Sequence, residues 1–385
     1  MMLQLLTFLL VGLFLVGSFT IIYIQVTVAR DTYRDKKQQR ALRNSSRPIR
    51  FKVTKREDMS PRHFSVCLTP LTAKKLPRFM PGQYLTLMPA IGHDSKITLK
   101  RCYSLAAWHK KPQHYELGIA KEPDGVVSTW LHQNLTVGSI IDALPPKGTF
   151  VYRPQLRKRG NEHTVLIAGG IGITPLRAMI DMFINSIGQG QSLVLFYSAK
   201  THDQMCYLSE LNNLAYKHPS FNFYPIISRP TSEWQGLTGR IDTALIASKL
   251  AHELGNNSAN YYMCGPQTMM AELKQGLLNA GTPMDNIHYE HFGVNANIDT
   301  DNVYPVKLNN HQFEFSTQRT LLDAMEQNEI AIESECRSGS CGHCKVTLTS
   351  GRVKELIKSD IRLNTNEILP CCCIPSSAVT LEMPI

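Results

Sequence analysis

The chain has 385 residues, 43% of them hydrophobic and 19% charged, with a formal net charge of +10 and ten cysteines. That length implies two or three domains, each large enough to bury a core, in an otherwise ordinary globular composition. The cysteines are too sparse for the disulfide framework of a small secreted scaffold, and the positive charge comes with no recognisable nucleic-acid motif.

Residues 1–29 contain no charged side chain, and Leu3 to Val28 reads LQLLTFLLVGLFLVGSFTIIYIQVTV. This is enough apolar helix to cross a bilayer core of about 30 Å. A cleaved signal needs a basic start, an apolar stretch of about 7–15 residues and a small-residue cleavage site, and the sequence offers none of these clearly. The expectation is one retained transmembrane helix over 1–29. Next come Arg30, Arg34, Lys36, Lys37, Arg40, Arg43, Arg47 and Arg50, opposed only by Asp31 and Asp35. Such an excess holds its side of the membrane in the cytoplasm and attracts anionic lipid, which accounts for much of the net charge. Residues 30–48 are read as a basic juxtamembrane linker of a single-pass inner-membrane protein whose remaining domains are cytoplasmic.

Over residues 49–155, FKVTK, HFSVCLT, QYLTLMP, YSLAAW, HYELGIA and IIDALPP are short alternating segments between Pro and Gly turns. They predict a small antiparallel barrel. Here Arg101-Cys102-Tyr103-Ser104-Leu105 is followed by Asp124-Gly125-Val126-Val127-Ser128. The pair resembles the flavin-binding signature of the ferredoxin–NADP reductase family. The resemblance implies that Arg101 meets the flavin's phosphates, Tyr103 stacks on its ring and Ser104 donates from the same strand. Gly125 then lets backbone approach the pyrophosphate, while Val127 and Ser128 open a helix whose amino end favours anions. Taken alone, an Arg and a Tyr on a strand also fit a surface charge and a core ring.

From 156 to 296 the pattern changes. HTVLIAGG, SLVLFYSA, NFYPIIS and NYYMCGP are near-continuous apolar runs, alternating with helical stretches at 174–187, 207–217, 241–254 and 266–280. This predicts a doubly wound parallel sheet. Gly169-Gly170-Ile171-Gly172-Ile173-Thr174-Pro175 follows a strand and opens a helix, the context in which backbone amides bind a dinucleotide's pyrophosphate. It departs from G-x-G-x-x-G in its last position, but it resembles the nicotinamide-side loop of the same reductase superfamily. Cys264-Gly265-Pro266 ends a later strand, where such sheets hold ligands. There Cys264 can lie beside the reacting nicotinamide carbon and flavin nitrogen, although a lone Cys also suits a small buried position. Glu290-His291-Phe292-Gly293 resembles the Glu-x-Phe ending of reductase modules joined to ferredoxin domains, which makes Phe292 the candidate ring on the flavin's second face. Cys264, Phe292 and Tyr103 are the candidate catalytic residues. Ser228-Arg229 falls where NADP-dependent relatives bind the 2′-phosphate, with Lys200 as a further contact, so the donor is NADPH or NADH with a slight preference for NADPH.

Six cysteines lie between 336 and 373. CRSGSCGHC gives C-x4-C-x2-C at Cys336, Cys341 and Cys344, and LPCCC follows, which is plant-type [2Fe-2S] spacing. A zinc site is the competing reading, but no second C-x2-C or H-x3-5-H pair is present. Residues 303–385 resemble the β-grasp ferredoxin family, with TLLDAMEQNEI as the helix before the cluster loop. Reductases with a C-terminal ferredoxin domain end in Leu-Ala-Cys-x-x-x-Pro, which matches Cys371 as the fourth ligand through Leu369 and Pro375 and leaves Cys372 and Cys373 as neighbours.

Hydride transfer moves two electrons together and a [2Fe-2S] centre takes one, so a flavin must mediate. The resemblance covers nearly all residues beyond 49 and implies electron flow from NAD(P)H to FAD, to the cluster, and then to a redox protein partner. With an anchor, that partner is expected to be a membrane-associated oxygenase or fatty-acid desaturase. A direct quinone reductase and a non-enzymatic redox sensor are the alternatives.

Overall fold

The computed structural model describes residues 47–72, 75–91, 99–123, 125–153, 163–186, 192–254, 259–293, 302–316, 320–359 and 361–383. The predicted membrane span over 1–29 and the basic stretch to residue 46 lie outside the described residues, as does Asp124. Among the described residues no helix is long and apolar enough to cross a membrane.

The barrel expected over 49–155 is built from β1 (Ile49–Ser60), β2 (His63–Pro70), β3 (Tyr84–Met88), β4 (Arg101–Ser104), β5 (Tyr115–Ala120) and β6 (Ile140–Lys147). Alternation places Phe51 and Val53 inside while Lys52 and Thr54 face water. The strand order is β4-β3-β6-β1-β2-β5. A bridge between Leu105 and Leu117, with the Ala106 amide donating to the Glu116 carbonyl at 2.8 Å, closes the barrel and removes both open edges. Helix α1 (Val126–Asn134) seals the interior with Val127 and Leu131.

The next module holds β7 (His163–Gly169), β8 (Leu193–Ala199), β9 (Phe221–Ile227), β10 (Leu237–Thr238), β11 (Ala259–Cys264) and β12 (Ile287–Glu290). They pair in parallel in the order β10-β9-β8-β7-β11-β12. Every residue of β7 is buried because helices cover both faces. Leu166 and Ala168 pack with Leu176 and Met179 of α2 (Ile173–Ser186) and Leu211 of α3 (Leu208–Lys217). Val165 and Ile167 meet Ile246 of α4 (Thr243–Leu254) and Met270 and Leu273 of α5 (Gln267–Asn279). Since β8 lies on one side of β7 and β11 on the other, a crevice opens at the carboxyl ends of β7 and β11.

The third module contains β13 (Val303–Leu308), β14 (His311–Ser316), α6 (Leu321–Gln327), β15 (Val346–Ser350), β16 (Val353–Glu355), β17 (Glu367–Ile368), β18 (Cys373–Pro375) and β19 (Val379–Glu382). Its mixed sheet runs β14-β13-β19-β15-β17, with β13 and β19 parallel. Thr320 and Asp323 form a reciprocal capping box that fixes the start of α6.

The chain divides after Pro48, and residues Ile49–Ile385 form one unit in which the three modules pack together. The barrel and the parallel sheet meet at Arg177, which is 9% exposed. Its guanidinium donates to Glu116 at 3.0 Å and to the Ala106 carbonyl at 2.8 Å on the barrel side, and to Glu210 at 3.0 Å on its own side. It also lies 4.6 Å from the ring centre of Tyr207. Removing one member of a buried ion pair leaves the other charge uncompensated, so Arg177→Ala should cost about 3–5 kcal/mol. Urea denaturation followed by tryptophan fluorescence checks this, and a loss below about 1 kcal/mol would deny the network its role in joining the modules.

Candidate active site

Two glycine-rich turns form the floor of the crevice. Gly170 has φ +54, and a Cβ there would meet nothing within 4 Å, so backbone faces open space. At Gly172 a Cβ would lie 2.2 Å from the Cys264 carbonyl oxygen, and at Gly265 it would lie 2.5 Å from the Met269 side chain and 3.0 Å from Gly169. Only glycine lets these two turns approach so closely. The expected residues Gly169, Gly170, Gly172, Gly265 and Pro266 are thus brought together. Thr174 and Pro175 are buried at the start of α2, with the Thr174 hydroxyl donating to the Ile171 carbonyl at 3.0 Å. Their side chains fix the turn, and its open backbone is what a dinucleotide can meet.

On the barrel side, Ser104 is buried and Tyr103 is half-buried against the barrel core. Leu105 and Val127 are core residues at 0% and 1% exposure, so any contact from Val127 to a cofactor is through backbone. The Leu105 amide is already taken by the Gln83 carbonyl at 2.9 Å. Gly125 caps α1, and the Ser128 hydroxyl binds its carbonyl at 3.3 Å while accepting the Glu122 amide at 3.1 Å. Arg101, expected on flavin phosphates, has its guanidinium on Glu326 of α6 at 3.0 Å. Arg337 holds the same carboxylate at 2.6 Å and also pairs with Asp323. Arg101 is therefore part of a four-charge network that reaches into the third module.

Between these surfaces lies Glu290, at the end of β12. Its carboxyl accepts from the Ser104 hydroxyl, and Cys264 of the neighbouring strand and Cys336 of the third module are close enough to sense its charge. Burial, with Cys336 adding to it, pushes the carboxyl up to about 8 against the opposing Ser104 bond, so it carries a proton at neutral pH. Its second oxygen is buried with no hydrogen-bond partner. Cys264 is fully buried, and burial holds it as a thiol. Phe292, two residues beyond Glu290, is 45% exposed, which leaves part of its surface free to meet a planar partner. The orphaned oxygen, the exposed ring and the open glycine backbone fit a flavin and a nicotinamide dinucleotide.

The four expected cluster ligands are gathered as two pairs. Cys336 hydrogen-bonds Cys341, and Cys344 hydrogen-bonds Cys371. Among the described residues no three His, Cys, Asp or Glu side chains converge on a single ion. Two thiol pairs are instead what a two-iron cluster requires, with two ligands on each iron. Hydrogen bonds from the Cys341 thiol, the Ser340 hydroxyl and the amides of Ser338 and Cys341 converge on the Cys336 sulfur and lower its thiol pKa. Gly339 and Gly342 take φ +80 and +75, turning the loop around the sulfurs. Of the other two cysteines, Cys372 has its sulfur 3.4 Å from that of Cys371, and Cys373 packs in the sheet core with Val306 and Leu381. Ser228 and Arg229 stand apart from this centre, at the end of β9. The Arg229 amide donates to the Lys200 carbonyl at 2.8 Å, and both cations are exposed.

Sequence reasoning did not assign roles to Glu290, Arg177 or Glu335. The last had a visible signal, a carboxylate immediately before the first cluster cysteine.

The fold and the site define an NAD(P)H-dependent flavin and iron–sulfur oxidoreductase, and comparison with known proteins agrees module by module. The chain matches the oxidoreductase FAD-binding domain over residues 50–152, the oxidoreductase NAD-binding domain over 166–275 and the 2Fe-2S iron-sulfur cluster binding domain over 306–376. It is 27% identical to the glycine betaine monooxygenase reductase subunit of Chromohalobacter salexigens, over 79% of this chain and 87% of that protein. It is 28% identical to the ferredoxin reductase component of 3-ketosteroid-9-alpha-monooxygenase from Mycolicibacterium smegmatis, over 78% and 85%. Against the flavohemoprotein of Oceanobacillus iheyensis it is 29% identical but spans only 66% of that protein's length. The fold of phthalate dioxygenase reductase superposes with a TM-score of 0.63 at 23% identity, covering 88% of this chain and 98% of the other. The chain belongs to the ferredoxin–NADP reductase superfamily, in the class whose plant-type [2Fe-2S] domain stands at the C-terminal end.

The ligand assignment has a direct test. Cys371→Ser should abolish the visible absorbance of the cluster, while Cys372→Ser should retain it. Ultraviolet–visible spectra and iron content of the two purified variants check this, and the reverse pattern would move the fourth ligand to Cys372.

Proposed function

We propose that this protein is the reductase of a membrane-associated two-component system, drawing electrons from NAD(P)H and delivering them singly to an oxygenase or a fatty-acid desaturase. The observation that carries this reading is the packing of the three modules about Glu290, whose carboxyl accepts from Ser104 of the barrel and lies within electrostatic reach of Cys336 of the third module. When bound, FAD accepts hydride from the nicotinamide and the [2Fe-2S] cluster takes electrons one at a time. The chain's own residues supply the rest. The glycine turns leave the crevice lined by backbone, Cys264 and Gly265 set how closely a nicotinamide can approach, and protonated Glu290 holds a proton beside Ser104. The cluster loop faces the barrel through Glu335, while Ser340 of the same loop is exposed. Electrons thus have an entry side and an exit side, and the exit is where a partner protein docks. The monooxygenase reductase components among the relatives support a protein acceptor of the oxygenase kind.

Anaerobic titration of the purified protein with NADPH, and separately with NADH, tests this path. Flavin and cluster bands should bleach together with the true donor, and flavin reduction without cluster bleaching would refute the path. The exposed cations Lys200 and Arg229 support NADPH, because a charge-assisted contact to a 2′-phosphate is worth roughly 1.5–3 kcal/mol. Arg229→Ala should therefore raise KM for NADPH about tenfold or more and leave KM for NADH unchanged. Steady-state kinetics decide, and equal effects on the two donors would remove Arg229 from 2′-phosphate recognition.

Residues 1–29 act in this reading as a single-pass anchor that holds the catalytic domains on the cytoplasmic side of the inner membrane. Length, hydropathy and the basic flank support it. Deleting them should transfer an active enzyme from the membrane fraction to the soluble fraction. A truncated protein that stays with the membrane, or loses NAD(P)H oxidation, would count against a simple anchor.

A further inference from the structure

Glu335 immediately precedes the cluster ligand Cys336, yet it is only 6% exposed. Burying a carboxylate is costly unless its oxygens are partnered, and most of its partners belong to another module. The Thr86 hydroxyl of β3 donates to it at 2.8 Å. The Lys147 ammonium of β6 lies 3.2 Å away. The Cys102 thiol of β4 donates to the Glu335 backbone carbonyl at 3.1 Å. From its own module, His343 approaches at 3.2 Å. Thr86 and Cys102 are cross-strand partners, so they face the third module side by side. Three barrel strands therefore converge on one residue of the cluster loop.

We propose that Glu335 is a positioning residue, clasped by Thr86, Cys102 and Lys147, that docks the cluster loop onto the flavin-binding strand and fixes the gap one electron must cross. The proposal rests on the electron path argued above. Cys102 is covalently next to Tyr103, and Glu335 is next to Cys336, so the thiol–carbonyl bond joins the two redox sites through a short run of bonds. Tunnelling falls off exponentially with distance, so a loosened loop slows this step while leaving hydride transfer alone. A buried ion pair adds little net stability compared with apolar packing, but it penalises every docking register in which its charge is unmatched. The second clasp, Arg101 with Glu326 and Arg337, restrains the neighbouring helix α6 in the same sense.

The test is the double variant Thr86→Val with Lys147→Met in the FAD- and cluster-loaded protein. It changes only the barrel side and leaves the cluster loop's own sequence intact. Stopped-flow spectroscopy should find flavin reduction by NAD(P)H within twofold of wild type and flavin-to-cluster transfer slowed at least tenfold. Deuterium exchange of the 332–343 segment should accelerate at least tenfold, with an unchanged visible spectrum of the cluster. Transfer within twofold of wild type overturns the proposal, and so does slowed transfer with unaltered exchange. If the double variant does not fold, Cys102→Ala should slow transfer while Cys102→Ser, which keeps the donor, should not; equal behaviour of the two would also overturn it. Absence of flavin-to-cluster transfer in the wild-type protein would instead overturn the underlying path.

Discussion

A half-buried carboxyl group, Glu290, with one oxygen withdrawn from water, is the point on which the architecture turns. It accepts from Ser104 of the barrel, ends a strand beside Cys264 of the parallel sheet, and lies within electrostatic reach of Cys336 in the iron–sulfur module. A group in that position joins its own strand to the barrel by a hydrogen bond and senses the iron–sulfur module through charge. Displacement of the barrel would cost the carboxyl its hydrogen bond from Ser104.

Two charged junctions hold the same modules together. Arg177 binds barrel to sheet through Glu116, Glu210 and the Ala106 carbonyl, and Glu335 binds barrel to cluster loop through Thr86 and Lys147. The parallel sheet also touches the third module directly, because Gln267 at the start of α5 donates to the Leu356 carbonyl at 2.9 Å. Gln267 follows the Cys264-Gly265-Pro266 turn, so this end of the crevice and the iron–sulfur module share a side-chain-to-backbone hydrogen bond. Apolar packing builds each core, and directional polar contacts set the cores in order.

Much of this was legible because the strongest constraints are local. Apolar runs such as HTVLIAGG become fully buried parallel strands, alternation in FKVTK becomes the barrel wall, and Cys spacing places all four ligands within reach of one another. The segment YSLAAW was expected to continue as a strand, but regular pairing ends at Ser104 because Leu105 leaves β4 to bridge Leu117 and close the barrel. What the sequence did not reveal is pairing between distant residues. Nothing near Arg101 announces Glu326, some 225 positions away, and Glu335 gains its meaning only from strands more than 180 residues earlier. Phe292 was legible as a motif, while its exposure was not.

The glycine turns at Gly169–Gly172 and Cys264–Pro266 meet backbone to backbone, with no room for a side chain at Gly172 or Gly265. A surface made of peptide groups cannot tell one dinucleotide from another, since both donors present the same pyrophosphate to it. In the proposed reading, choice of donor falls instead to Lys200 and Arg229, which follow β8 and β9 and stand apart from the glycine turns. On that reading donor preference and catalytic competence rest on separate residues, so the one can be altered by substitution without disturbing the backbone that serves the other.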